Sequence, residues 1–462
     1  MSVIQALATL CSLLFFREAC KWLRMIIDAR SVGLPMVFVP IDQTNFFWIL
    51  FSSRNRFRLQ RLLTSRLWKL LSRTIPGWEL FEPSDPIEKP LTYRANTINS
   101  SFMLIGPRSY EFWTADPQVS HEILRRIHDF EQPRELEFLL AKFGPNVLTS
   151  NGDQWARHRK IVAKVINERI SKAVFEKSIY YSREILHDIL PISHNKDGSI
   201  ETAMLFDKLT QVSFSILISV GIGDKFPWYD EEKQEPEPPY QMAYKDALFT
   251  YVNNAFGLAI LPAPLLNRWP SWAPGHKKMK RVGRSMIEFC MRNQSLINQE
   301  QNRIARGETS ASSADFIALL VQASQGEDES SQKLSEKEMI SDLFAFTAGG
   351  FKTIAGALDF AVVLLARFPL WQDWLIEEVD SLIPADGDRP EHLEYTNIYP
   401  QAVRTLAFVM ETERLIEPTR LENETFQDAQ KRLDAKLRNV QWAGIVTLEN
   451  DPHLKFKVSQ RR

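Results

Sequence analysis

Apolar residues are densest inside SEKEMISDLFAFTAGGFKTIAGALDFAVVLLAR, Ser335 to Arg367, where nearly every position from Leu343 to Leu365 is apolar or small. A helix with no face left for water must be buried on most sides. Ser335 and Glu338 have the spacing of a capping box and Pro369 closes the stretch. The pattern therefore predicts one helix on the order of 48 Å long, at 1.5 Å per residue, standing as the central post of a helical protein.

Helical periodicity dominates from residue 115 to 415. In TSNGDQWARHRKIVAKVIN, Thr149 to Asn167, either Ser150 or Asn151 can cap a helix. Its Trp155, Arg159, Val162 and Ile166 recur three or four apart and share a face. Further helices are expected from Asp315 to Ala323, Leu370 to Ile383, Gln401 to Leu415 and, with a polar pattern, Asn423 to Asn439. Prolines and β-branched residues between 84 and 115 predict a few short strands, and GIVTLEN with HLKFKV alternates like a terminal hairpin. The acidic, proline-rich run Asp224 to Pro239 and the polar stretches within Gly307 to Gln332 predict loops. The expected fold class is mainly α with a small β portion.

The N-terminus has its own pattern. Val3 to Phe16 is apolar and is followed by Arg17, Lys21, Arg24 and Arg30. It is shorter than the ~20 residues of a bilayer span, so residues 1–27 form either a membrane anchor lying partly in the interface or a buried terminal helix. Basic residues on its C-terminal flank would hold the remainder on the cytoplasmic side. Gly33 to Leu50 is apolar and aromatic but interrupted by two prolines, which suits either a second membrane-facing patch or the lip of an apolar cavity.

Charge narrows the partners. With 56 basic and 57 acidic side chains, the formal net charge of -1 supplies no basic field for nucleic acid. The three cysteines, Cys11, Cys20 and Cys290, have no metal-site spacing, and none follows residue 290.

Candidate chemistry sits mid-helix. Gly349 and Gly350 each cost about 1 kcal/mol relative to Ala, a weakness that leaves room for a neighbouring backbone or for something flat and large. Lys352 and Thr353 follow directly; Thr353 either bonds back to a carbonyl one turn earlier or has a function, and Lys352 either snorkels to solvent or serves the site. Trp155 and Arg159, an indole donor and a guanidinium one turn apart, suit an anionic group such as a carboxylate. Glu411 and Arg414, three apart, can pair on one helix face.

Taken in order, these motifs resemble the cytochrome P450 family of haem-thiolate monooxygenases, most closely its fungal microsomal members, over nearly the whole chain. Trp155 and Arg159 match its W-x-x-x-R helix, Phe346 to Ala355 its distal-face helix, and Glu411 with Arg414 its E-x-x-R pair. The resemblance implies haem b as cofactor, its propionate on Trp155 and Arg159 with His158 assisting, and Gly349 and Gly350 leaving room for porphyrin and dioxygen. It also implies a cytochrome P450-like domain over residues 28–462 and hydroxylation or oxidation of an apolar small molecule in fungal secondary metabolism. Electrons would come from an NADPH-dependent cytochrome P450 reductase, and the site would be the cytoplasmic face of the endoplasmic reticulum membrane.

Two departures accompany it. The family's F-x-x-G-x-R-x-C-x-G loop, which supplies the iron's thiolate, is absent, and the chain passes from Arg420 to Asn423 directly into what resembles the C-terminal segment. This implies an internal deletion near 420–423 and a fold lacking the proximal cysteine-loop region. Lys352 stands where the family has an acid, Thr353 keeps the alcohol, and Ile354 replaces the next hydroxyl. A lysine can accept a proton only when neutral. The alternative reading is a truncated, catalytically inactive relative.

Overall fold

The computed structural model describes residues 3–42, 64, 66–67, 83–85, 89–93, 101–114, 116–132, 137, 140–189, 200–203, 205–222, 236, 238–254, 261–308, 316–325, 333–382, 414–418, 420, 424–438, 440–442, 446–448 and 455–460. Two compact units emerge, one of residues 1–130 with 440–443, the other of 131–439 with 444–462.

In the first unit, α1 (Val3–Ser31) is followed by β1 (Met36–Phe38), β2 (Pro83–Asp85), β3 (Lys89–Tyr93), β4 (Ser101–Ile105), β5 (Tyr110–Thr114) and α2 (Pro117–Arg125). The strands between 83 and 114 fall where prolines and β-branched residues predicted them. The apolar stretch after Gly33 contributes β1, which runs parallel to β4 with Met36 opposite Met103; β5 pairs antiparallel on the other edge. SFMLI is apolar without alternation because β4 is covered on both faces. Met103 and Ile105 pack with Ala29 of α1, while Phe102 and Leu104 pack with Val39 and Trp113. Farther along α1, Leu13, Phe15, Phe16, Leu23 and Ile27 are exposed.

The second unit is helical: α3 (Gly152–Val165), α4 (Glu168–Ile189), β6 (Ile200–Ala203), α5 (Leu205–Ile222), α6 (Tyr244–Asn254), α7 (Ala263–Asn267), α8 (His276–Ala305), α9 (Phe316–Gln325), α10 (Glu336–Gly350), α11 (Lys352–Arg367) and α12 (Pro369–Leu382). There follow β7 (Arg414–Pro418), α13 (Phe426–Arg438), β8 (Val440–Trp442), which belongs to the first unit, β9 (Val446–Leu448) and β10 (Lys455–Gln460). The core gathers on α10, where the Phe344 ring stacks 4.7 Å from that of Tyr251 and meets Phe143 and Phe289 edge-on. Helix α7 comes so close to α8 that a Cβ on Gly283 would lie 2.7 Å from the Asn267 nitrogen, which is why that position has no side chain.

Three expectations need correction. The central post is not one helix: it breaks at Phe351, whose backbone (φ -124°, ψ -46°) leaves the helical ladder between α10 and α11. The glycine pair weakens the turn before it, and the fully buried Phe351 ring is held by Phe214 and Phe249 at 5.2 and 6.1 Å. Arg414 and Leu415 do not end a helix but begin β7, whose backbone is paired antiparallel with β10 and is closed by Pro418. The rest of the expected helix, with Glu411, lies outside the described residues. Nor do the last segments form a hairpin: β10 lies between β6 and β7, with Val458 opposite Ile200 and Ile416.

The start of α10 is as the sequence predicts. Ser335 Oγ accepts the Glu338 N–H at 3.3 Å and the Glu338 carboxylate accepts the Ser335 N–H at 2.8 Å. Arg157 of α3 pairs with the same carboxylate. Burial works to raise the Glu338 pKa, but the Ser335 N–H and hydroxyl together with the Arg157 guanidinium hold it below its ordinary 4.5. A depressed carboxylate stabilises the fold above its unfolded pKa and loses that contribution as pH falls through the folded value. Glu338→Gln should therefore lower unfolding stability by roughly 1.5–3 kcal/mol at neutral pH. Urea titrations should show this deficit shrinking below the ordinary carboxylate range.

Candidate functional site

Helix α3 starts at Asn151, whose side chain makes no cap but accepts the Gln132 N–H at 2.7 Å and donates to its carbonyl at 3.0 Å. Its buried stripe is His158, Ile161, Val162 and Val165, the i, i+3, i+4, i+7 pattern of a core-facing helix. The face expected to point inward is thus only partly inward. Val162 is buried, Trp155 is half-buried, and Arg159 and Ile166 are exposed. The Arg159 guanidinium lies 5.3 Å from the Trp155 ring centre, so the two do form a pair, on the open side of the helix.

His158 has a different position from the one its neighbours suggest. It is fully buried, with Nδ1 2.8 Å from the Asp342 carboxylate of α10 and Nε2 3.6 Å from that of Glu338. The second Asp342 oxygen accepts the Val147 N–H at 2.8 Å, and Asn146 Nδ2 donates to Ser341 Oγ at 3.1 Å. This polar cluster fastens α3 to α10 about two turns before Gly349. The sequence reading missed Asp342, although a carboxylate in the apolar run ISDLFAF, with a histidine elsewhere in a core pattern, was a usable signal.

The glycine pair divides its roles. A Cβ on Gly349 would have nothing within 4 Å, whereas one on Gly350 would meet Leu217 Cδ1 at 3.1 Å. Gly349 is therefore beside open space, as a flat ligand requires, while Gly350 allows the approach of α5. Thr353 does bond back, its hydroxyl donating to the Gly349 carbonyl. Lys352 is half-buried at the first position of α11; burial pushes its pKa down, and only Asp207 of α5 acts in the opposite direction. A helix N-terminus further disfavours its charge. Glu411 lies outside the described residues, and Arg414 is on β7.

These groups fit a porphyrin better than they fit its iron. Arg159 offers a solvent-facing cation with an indole beside it, and Gly349 leaves a bare helix face, which suits a carboxylate-bearing planar ring. Among the described residues no thiolate stands ready for a metal. Cys20 is on α1, and Cys290 packs against the core of the second unit, where burial pushes its thiol pKa up despite Lys337.

The second unit is thus mostly helical, with a long interrupted helix, a bared glycine on it and a Trp/Arg pair on the neighbouring α3. The chain belongs to the cytochrome P450 family, whose model matches residues 79–430. It is 62% identical to the phomenoic acid biosynthesis cluster cytochrome P450 monooxygenase of Leptosphaeria maculans, with all of both chains covered. That alignment extends over 588 positions against the 462 residues present here, so a sizeable part of that relative has no counterpart in this chain. Cytochrome P450 monooxygenase prx9 of Penicillium rubens is 23% identical over 84% of this chain, which spans only 66% of that relative's length. Among solved structures, the cytochrome P450DA heme domain matches 93% of this chain and 98% of its own, with a TM-score of 0.51 at 13% identity, a likeness of fold alone.

The two glycines should respond differently to a methyl group. Gly349→Ala should stabilise the protein by up to about 1 kcal/mol, the helix-propensity difference, because nothing obstructs the new carbon. Gly350→Ala should gain less or lose stability, since Leu217 must yield. Urea midpoints at constant slope would measure both.

Proposed function

We propose that this polypeptide is the framework of an NADPH- and O2-dependent haem monooxygenase that oxidises an apolar small molecule in a fungal biosynthetic cluster. The carrying observation is the 62% identity to a relative whose name assigns it to phomenoic acid biosynthesis. On this reading Trp155 and Arg159 hold a haem carboxylate, Gly349 admits the ring, and Thr353 and Lys352 border the oxygen side. Haem, when bound through a thiolate, supplies oxygen activation. The polypeptide binds, orients and excludes water around it.

A second reading concerns the chain as written, and it is favoured by specific residues. No cysteine follows Cys290, so the iron's thiolate is missing, and Lys352 can take up a proton only after losing its own. In this form we expect no oxygen activation. The missing part of the longer relative is the natural source of the cysteine loop, inserted near residues 420–423. Transcripts sequenced between the codons for Glu411 and Trp442 should include a longer product encoding that loop. The longer protein should give a haem-thiolate carbonyl spectrum and the present chain should not. If only the present length is transcribed, the monooxygenase reading fails and the inactive one stands.

Location and electron supply belong to the same proposal. The exposed Leu13, Phe15, Phe16, Leu23 and Ile27 on α1, interleaved with basic residues, suit the cytoplasmic interface of the endoplasmic reticulum membrane, where a reductase would meet the protein. Removing residues 1–27 should move the protein from the membrane fraction to the soluble fraction. Retention of the shortened chain on membranes would rule out α1 as the anchor.

A further inference from the structure

A cavity of about 310 Å³ lies within the second unit, on a different face of the central helices from Gly349 and Thr353. Leu343, Thr347 and Gly350 of α10 and Ile354 and Leu358 of α11 form one wall, and α4 and α5 form the opposite one. Neither Gly349 nor Thr353 contributes to it. The size is at the lower end of small-molecule sites. Phe316 and Phe346, their rings 4.7 Å apart edge to face, contribute to another part of its wall, while Ile166 and Ile354 line it and are themselves exposed to solvent.

The polar groups in this apolar wall are unevenly satisfied. Ser178 Oγ donates to the Val174 carbonyl at 2.6 Å and Thr347 Oγ1 to the Leu343 carbonyl at 2.6 Å. Ser213 of α5 does not behave this way. It is 4% exposed, lines the cavity, and its Oγ has no hydrogen-bond partner among the described residues. A buried hydroxyl left unpaired costs roughly 1–3 kcal/mol, so a ligand that pairs with it recovers free energy that no side chain recovers. Among the described residues no Asp, Glu, Lys, Arg or His lines the cavity, so an ionised ligand would be desolvated there without a counter-charge from them.

We propose that this cavity is a second ligand site, separate from the Gly349 face, that takes a neutral aliphatic molecule bearing one hydroxyl, with the hydroxyl on Ser213 Oγ and the chain along Leu217, Leu343 and Ile354. The serine can donate to or accept from an alcohol. Binding requires no iron and is thus independent of whether the chain activates oxygen.

Isothermal titration of the full chain with 1-octanol tests this, with octanoate, ionised at neutral pH, as the comparison. Octanol should bind saturably at one site with a negative heat-capacity change, and octanoate should not bind. Ser213→Ala should weaken octanol by about three- to tenfold, the equivalent of one hydrogen bond. Leu217→Trp should abolish binding by filling the space; should it fail to fold, Ser213→Ala decides alone. Unsaturable partitioning, equal binding of octanoate, or an unchanged affinity in Ser213→Ala would each overturn the proposal.

Discussion

The arrangement around the candidate site depends on one buried carboxylate. Asp342 is 0% exposed and is compensated by the His158 ring and the Val147 N–H. A charge taken out of water at this depth costs several kcal/mol unless such partners are in place. The segment 146–150, helix α3 and helix α10 must therefore meet in one register, because a slip of a single residue would leave the carboxylate unpaired. The His158 Nδ1 is the ring nitrogen that meets Asp342. The ring's Nε2 faces Glu338, whose charge is taken by Arg157. Trp155 and Arg159 inherit their outward direction from this attachment, since His158 and Ile161 occupy the inward positions.

Much of this was legible in the pattern of residues. The capping box at Ser335, the helices beginning near Gly152, Phe316 and Pro369, the polar helix near Phe426 and the strands between 83 and 114 all follow from local spacing and turn chemistry. What failed was non-local. The break at Phe351 depends on Phe214 and Phe249 holding its ring, which no pattern within SEKEMISDLFAF and its continuation contains. Strand β7 exists because β10 supplies its hydrogen bonds from some 40 residues farther along. In isolation, RLIEP after an apolar helical run reads as one more turn of helix. The orientation of α3 was misjudged for a related reason: Trp155, Arg159, Val162 and Ile166 share a face, but a face one residue over is the more strongly buried.

The site also separates two requirements that a haem protein normally meets together. Under the proposed reading, space and anion recognition come from α3 and α10, while the iron's thiolate would have to come from a cysteine that does not follow Cys290 in this sequence. Thr353 is satisfied locally. Its hydroxyl donates to the Gly349 carbonyl across the break at Phe351, so it needs no other partner. Partial burial works against the Lys352 charge, and Asp207 offsets part of that cost.

Both β7 and α13 rest against α11, so Pro418 and Phe426, which bound the connection between them, belong to elements that meet the same helix. In polymer terms these are two pinned ends of one loop, and doubling the length of a flexible loop costs only about 0.6 kcal/mol. Segments of very different length can thus be spliced between the two pins without disturbing either. Closure entropy alone therefore sets no sharp limit on the length of chain between them.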